Sequence, residues 1–147
     1  MEILAARLIS WDMAHRLGDG YTSKCRHLHG HRYVAELAVT APDLDRFGMV
    51  LDFGEIRAVC DQWVQTHLDH ACLVQASDKS LLEFLQREKS RHYVVEFNTT
   101  AERIAVWLAG VLQGELDRQP SLAGRGVELV RLRLYETPNC FAEWHKR

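Results

Sequence analysis

The sequence predicts an α+β fold: a four-stranded antiparallel sheet with two long helices on one face, in the order ββααββ, and a short helical insertion between the helices. Three observations predict it. Period-two alternation marks one pair of strands near the N-terminus and a second pair near the C-terminus, and two capping signatures each introduce an apolar stripe at three- and four-residue steps.

Residues 3–14 place Ala6, Leu8, Ser10 and Asp12 on one side of a strand and Arg7, Ile9, Trp11 and Met13 on the other. The polar loop Gly18-Asp19-Gly20-Tyr21-Thr22-Ser23 breaks it. Alternation resumes over 31–40, where Tyr33, Ala35, Leu37 and Val39 share a face, and this second strand is expected to pair antiparallel with the first and to end at Pro42. Asp52-Phe53-Gly54-Glu55 has the form of a capping box, and Phe53, Ile56, Cys60, Trp63, Val64 and Leu68 make the core stripe of the helix behind it. A short helix over 80–88 and a brief strand over 93–97 lead to a second box, Thr99-Thr100-Ala101-Glu102. The second long helix runs to about Leu116, with Ile104, Trp107, Leu108, Val111 and Leu112 facing the core. Over 126–136, Val130, Leu132 and Leu134 alternate with Arg131, Arg133 and Tyr135, and a last short strand covers 141–144.

A chain of 147 residues is expected to form a single domain spanning 1–147. Its net charge of -2, with basic residues scattered, carries no footprint for nucleic acid or an anionic membrane. The start of the chain lacks the basic-then-apolar form of a leader, and no apolar run approaches the length of a membrane span, so a cytoplasmic protein is expected. Cys25, Cys60, Cys72 and Cys140 have no CxxC spacing, and Cys60 reads as packing.

Four of the eight histidines lie between positions 15 and 31. In an extended chain His29 and His31 point the same way, with Gly30 leaving the backbone clear between them, and a hairpin would bring His15 beside them. Three neutral imidazoles leave a tetrahedral zinc one open position, the arrangement of a catalytic site. His27 would share that face if the chain stayed extended. Cys25 has two readings: a thiol near a cation can act as base or nucleophile, or it can be a fourth ligand that closes a structural, non-catalytic zinc site. Asp69-His70 is a surface pair or, in a cleft, a proton relay. Glu136 is a rim charge or a carboxylate whose two oxygens accept paired hydrogen bonds from the N–H and amine edge of a guanine-like or pterin ring.

Together, Ala14-His15-Arg16-Leu17, Cys25-Arg26-His27-Leu28-His29-Gly30-His31, Gly48-Met49-Val50-Leu51-Asp52-Phe53, Leu68-Asp69-His70, Thr100-Ala101-Glu102 and Glu136-Thr137 resemble the family of 6-pyruvoyltetrahydropterin and 6-carboxytetrahydropterin synthases. The resemblance implies the tunnelling fold, in which copies join their sheets into a barrel, usually as homohexamers with active sites at subunit interfaces. It implies zinc on His15, His29 and His31, a catalytic group of Cys25, Asp69 and His70, and Glu136 as the pterin anchor. The implied activity is a zinc-dependent lyase acting on 7,8-dihydroneopterin triphosphate. The favoured product is 6-carboxytetrahydropterin, made with release of acetaldehyde on the way to queuosine, and the alternative is the 6-pyruvoyl product. A triphosphate needs cations, and Arg16, Lys24, Arg26 and Arg32 lie close to the motif in sequence, but most lysines and arginines are simply solvated and none of the four is singled out. The chain departs from the family pattern at Val74, Arg103 and Trp144 and in an insertion over about 77–92.

Overall fold

In the computed structural model, which describes residues 2–147, the strands form one mixed sheet. β1 (Ala5–His15) and β2 (His29–Thr40) pair antiparallel from Ala5 opposite Val39 to His15 opposite His29. β3 (Ala71–Gln75) and β4 (His92–Val95) extend the sheet beyond β1, while β5 (Glu128–Thr137) and β6 (Cys140–His145) extend it beyond β2. The order is β4-β3-β1-β2-β5-β6, so among the described residues the sheet has six strands where four are expected. β3 escapes the sequence pattern because Ala71, Cys72, Leu73 and Val74 are buried in succession. A strand covered on both faces has no alternation to read, and this one pairs parallel with both β1 and β4.

The first helical rod comprises α1 (Phe53–Ile56), a π turn over Arg57–Asp61 and α2 (Gln62–His67). Its buried residues Ile56, Cys60, Val64 and Leu68 lie at strict four-residue steps. Each such step overshoots an α-helical turn of roughly 3.6 residues, and the wider π turn takes up the drift. Phe53, expected in the stripe, is exposed. α3 (Lys79–Arg87) and α4 (Ala101–Asp117) complete the helices.

Odd-numbered residues of β1 and β2 (Ile9, Trp11, Met13, Tyr33, Ala35, Leu37) join Leu132 and Leu134 in the main core, with Ile56, Val64, Ile104, Leu108 and Leu112 from the long helices. The insertion helix lies on the other face: Leu81 and Leu85 of α3 pack on Cys72 and Val74 with Ala14 beside them. Elsewhere that face is open, and it carries the pairs Arg32–Asp12, Arg131–Glu36 and Arg133–Glu143. At a bulge between Ala38 and Val39, Leu129 in place of Val130 pairs with Val39 and is buried.

Both capping signatures start helices, but neither closes as a reciprocal box. Asp52 accepts from Gly54 N at 2.6 Å, while Glu55 accepts from Ser121 Oγ. The cap of α4 is Thr100, which accepts from Arg103 N, one residue later than expected. No helix among the described residues is long and apolar enough to cross a membrane.

Candidate active site

The β1–β2 register sets the centre. His15 and His29 are direct cross-strand partners, and His31 follows two residues on, opposite Met13. All three project from the helix-covered face at the end of the pair, and their ligand atoms lie within 4.8 Å of one another. The ring centroids are 4.7, 5.3 and 4.9 Å apart.

Hydrogen bonding orients the rings. His15 Nδ1 is 2.8 Å from the Thr99 carbonyl, and His29 Nδ1 is 2.6 Å from the His27 carbonyl. A carbonyl oxygen only accepts, so both Nδ1 atoms carry the proton and both Nε2 lone pairs are free. The Nε2 atoms of His15, His29 and His31 are all buried and have no hydrogen-bond partner among the described residues. Burial, reinforced by repulsion from His29, lowers the His15 pKa to about 4, against the opposing pull of the Thr99 carbonyl. Burial and then His29 also lower His31. Neutral, converging imidazoles with a ring nitrogen tied back to a carbonyl are the donor set and outer support of a metal site.

His27 does not join them. The turn Lys24–Arg26 interrupts the extended chain before it, and His27 is exposed, contributing only its carbonyl. Cys25, half-buried in that turn, lies outside the 4.8 Å cluster, so the thiol is not a fourth donor in this arrangement.

Glu136 sits at the triad's edge. Its two carboxylate oxygens are each 3.9 Å from a ring nitrogen, one of His15 and one of His31. Burial raises its pKa, with His29 opposing and Glu102 adding to the rise. The pattern at β5 suggests only a strand end; the cross-strand register is what brings this carboxylate to the histidines.

Asp69 and His70 are together but elsewhere. His70 Nδ1 is 2.9 Å from Asp69 Oδ2, and the Asp12 amide donates to Asp69 Oδ1 at 3.0 Å. Burial works against the Asp69 carboxylate, yet the Asp12 amide, the His70 ring and Arg32 outweigh it and hold its pKa below the ordinary range. The His70 ring clusters with the Asp12 carboxylate and lines a cleft with Ala14, Gly30 and Arg32. Met13 and His31 also line that cleft, but the Asp12 side chain that His70 meets alternates with Met13 and so projects from the face opposite the triad.

Two contributors are missed by sequence reasoning. Thr99, read as a helix cap, is fully buried and supports His15 through both its carbonyl and its hydroxyl, the latter at 3.1 Å. Tyr33 continues the alternation of His29 and His31, and its buried hydroxyl has no partner among the described residues. Its ring lies 5.5 Å from that of His31, and burial, followed by Glu136 and Cys25, raises its pKa. Period two from the histidine pair is the signal that could have found it.

Of the four nearby cations, Arg16 is clamped by Asp78 through two bonds of 2.7 Å, and Arg32 donates to Asp12 and Ser10. Lys24 and Arg26, flanking Cys25, pair with no carboxylate among the described residues.

A family model described as 6-pyruvoyl tetrahydropterin synthase matches residues 5–147. A 6-carboxy-5,6,7,8-tetrahydropterin synthase of Rickettsia felis is 37% identical over 142 residues, which cover 96% of this chain and 99% of that protein. One of Haemophilus influenzae is 33% identical over 144 residues, covering 93% and 94%. Among solved structures, an uncharacterized protein of Wolinella succinogenes aligns with a TM-score of 0.82 at 21% identity, over 100% of this chain and 99% of that one. The 6-pyruvoyl tetrahydropterin synthase of Caenorhabditis elegans aligns with a TM-score of 0.68 at 23% identity, over 100% and 97%. At these identities the structural likeness carries the fold alone.

Proposed function

Because the chain belongs to the 6-pyruvoyl tetrahydropterin synthase family, we propose that it is a zinc-dependent 6-carboxy-5,6,7,8-tetrahydropterin synthase. It converts 7,8-dihydroneopterin triphosphate to 6-carboxytetrahydropterin, releasing acetaldehyde and triphosphate, on the route to queuosine. The observation that carries the metal reading is the set of buried Nε2 atoms on His15, His29 and His31 that have no partner among the described residues. The names of the curated relatives favour the carboxy product over the pyruvoyl one.

His15, His29 and His31 would hold the ion, and zinc bound there would supply Lewis acidity toward the substrate's side-chain hydroxyls. Cys25, as thiolate, takes a proton near the reacting carbons. Asp69 accepts from Nδ1–H of His70 and so turns the other ring nitrogen toward the substrate, where it moves protons on the opposite side. Glu136 holds the ring through its two carboxylate oxygens. Lys24 and Arg26 are the cations left to meet the triphosphate, since Arg16 and Arg32 are already engaged.

The Asp12 carboxylate that His70 meets projects from the face opposite the triad, which supports a reading in which a second copy brings its Asp69 and His70 to the first copy's Cys25 and metal. The working unit is a homo-oligomer, a homohexamer with sites between subunits. The outer support is testable by itself: Thr99→Val removes the hydroxyl beside His15 and is expected to weaken zinc binding by about tenfold in a chelator competition, without displacing the Thr99 carbonyl.

The function is tested by incubating zinc-loaded protein with 7,8-dihydroneopterin triphosphate and identifying the products. Acetaldehyde with a carboxylated pterin is the expected result. A pyruvoyl pterin without acetaldehyde would assign the other synthase activity, and zinc binding without turnover would leave a metal-binding module.

A further inference from the structure

The guanidinium of Arg91, between α3 and β4, closes over the end of α2 just before the catalytic pair. Its Nε donates to the Asp69 carbonyl at 2.9 Å, and its terminal NH2 donates to the Gln65 carbonyl at 3.0 Å and to the Thr66 carbonyl. The Gln65 and Thr66 carbonyls lie in the last turn of a helix, where acceptors lack intrahelical partners and a cation is favoured. Arg91 is itself anchored, because its own carbonyl accepts from Cys72 N on β3 at 3.0 Å.

From the other side, β1 holds the same turn. His70 N donates to the Asp12 carbonyl at 2.8 Å, and Asp12 N donates to the Asp69 carboxylate. Between these supports His70 adopts a φ of 58°, in the left-handed region. That conformation carries a cost for a residue with a side chain, which the flanking hydrogen bonds offset at His70.

We propose that Arg91 is a positioning residue for His70: its three hydrogen bonds to backbone carbonyls lock the 65–70 turn and aim the imidazole. This deepens the functional reading above and rests on its assignment of Asp69 and His70. It also gives the 77–92 insertion a task, since α3 and the turn after it carry Arg91 to the end of α2. A lysine cannot replace it, because one ammonium on a flexible stem does not span carbonyls that a planar guanidinium bridges. Arg87 is the control: it lies over the Phe84 ring and pairs with Glu88.

The test compares Arg91→Ala, Arg91→Lys and Arg87→Ala in full-length, zinc-loaded protein. Arg91→Ala is expected to lower kcat on the order of tenfold to a hundredfold, the cost of a catalytic group misplaced by about an ångström, with KM and zinc content unchanged. Arg91→Lys should recover little, millimolar methylguanidinium should restore part of the alanine variant's kcat, and Arg87→Ala should match the parent. Exchange of the His70 amide hydrogen should quicken in Arg91→Ala. Unchanged kcat in Arg91→Ala overturns the proposal, as does a lowered kcat with the His70 amide still protected and no rescue by methylguanidinium. If the parent protein shows no turnover, the functional reading fails separately, and amide exchange decides alone: quickened exchange keeps the Arg91 clamp and retained protection removes it.

Discussion

Mixing two inactive variants, Cys25→Ala and His70→Ala, is expected to restore turnover. On the proposed roles, each variant alone lacks one proton-moving group at every site. In a mixed assembly, some sites pair the intact thiol of a His70→Ala chain with the intact imidazole of a Cys25→Ala chain. If each site draws on two chains, random assortment makes about a quarter of the sites complete, so activity should rise from background to about a quarter of the parent's. The expectation follows from the Asp12 carboxylate that His70 meets, which projects from the face turned away from that of His15, His29 and His31. Unfolding and refolding the variants together, with native mass spectrometry to verify mixed oligomers, makes the measurement. Mixed oligomers that stay inactive would mean that each site is built from a single chain.

His29→Ala is expected to empty the metal centre while leaving the fold in place. His29 is at the tip of the β1–β2 pair and only half-buried, whereas His15 is fully buried, so removing His15 would also open a cavity in the packed interior. With two imidazoles left, zinc should fall from about one ion per chain to near zero after dialysis, and kcat/KM should drop on the order of a thousandfold or more. Metal analysis and steady-state kinetics check both halves, and thermal unfolding shows that the protein is intact. The companion variant Cys25→Ala should keep its zinc while losing turnover, because the thiol stands outside the histidine cluster. Zinc lost from Cys25→Ala, or kept in full by a turnover-competent His29→Ala, would overturn the catalytic-site reading.

Much of this arrangement is legible without coordinates. Period two in β1 and β2 puts Trp11, Met13, Tyr33 and Leu37 inside, and the same period joins His29 to His31. The helix stripes are legible for a similar reason: Ile104, Leu108 and Leu112 recur with the helical turn, and all three are buried. β3 is not, because burial on both faces erases alternation. Thr99 is misread because a hydroxyl next to a helix start serves a cap or a histidine equally well, and the choice depends on where β1 ends.

Local rules, acting between residues a few positions apart, determine which side chains face the interior and which histidines can share an ion. Long-range packing decides the rest. The β2–β5 register carries Glu136 to the triad, the burial of His15 beneath Thr99 selects its tautomer, and the parallel docking of β3 turns Asp69 and His70 to the open face. Those outcomes depend on contacts between residues as much as 121 positions apart, as between His15 and Glu136, which no short-range pattern can encode.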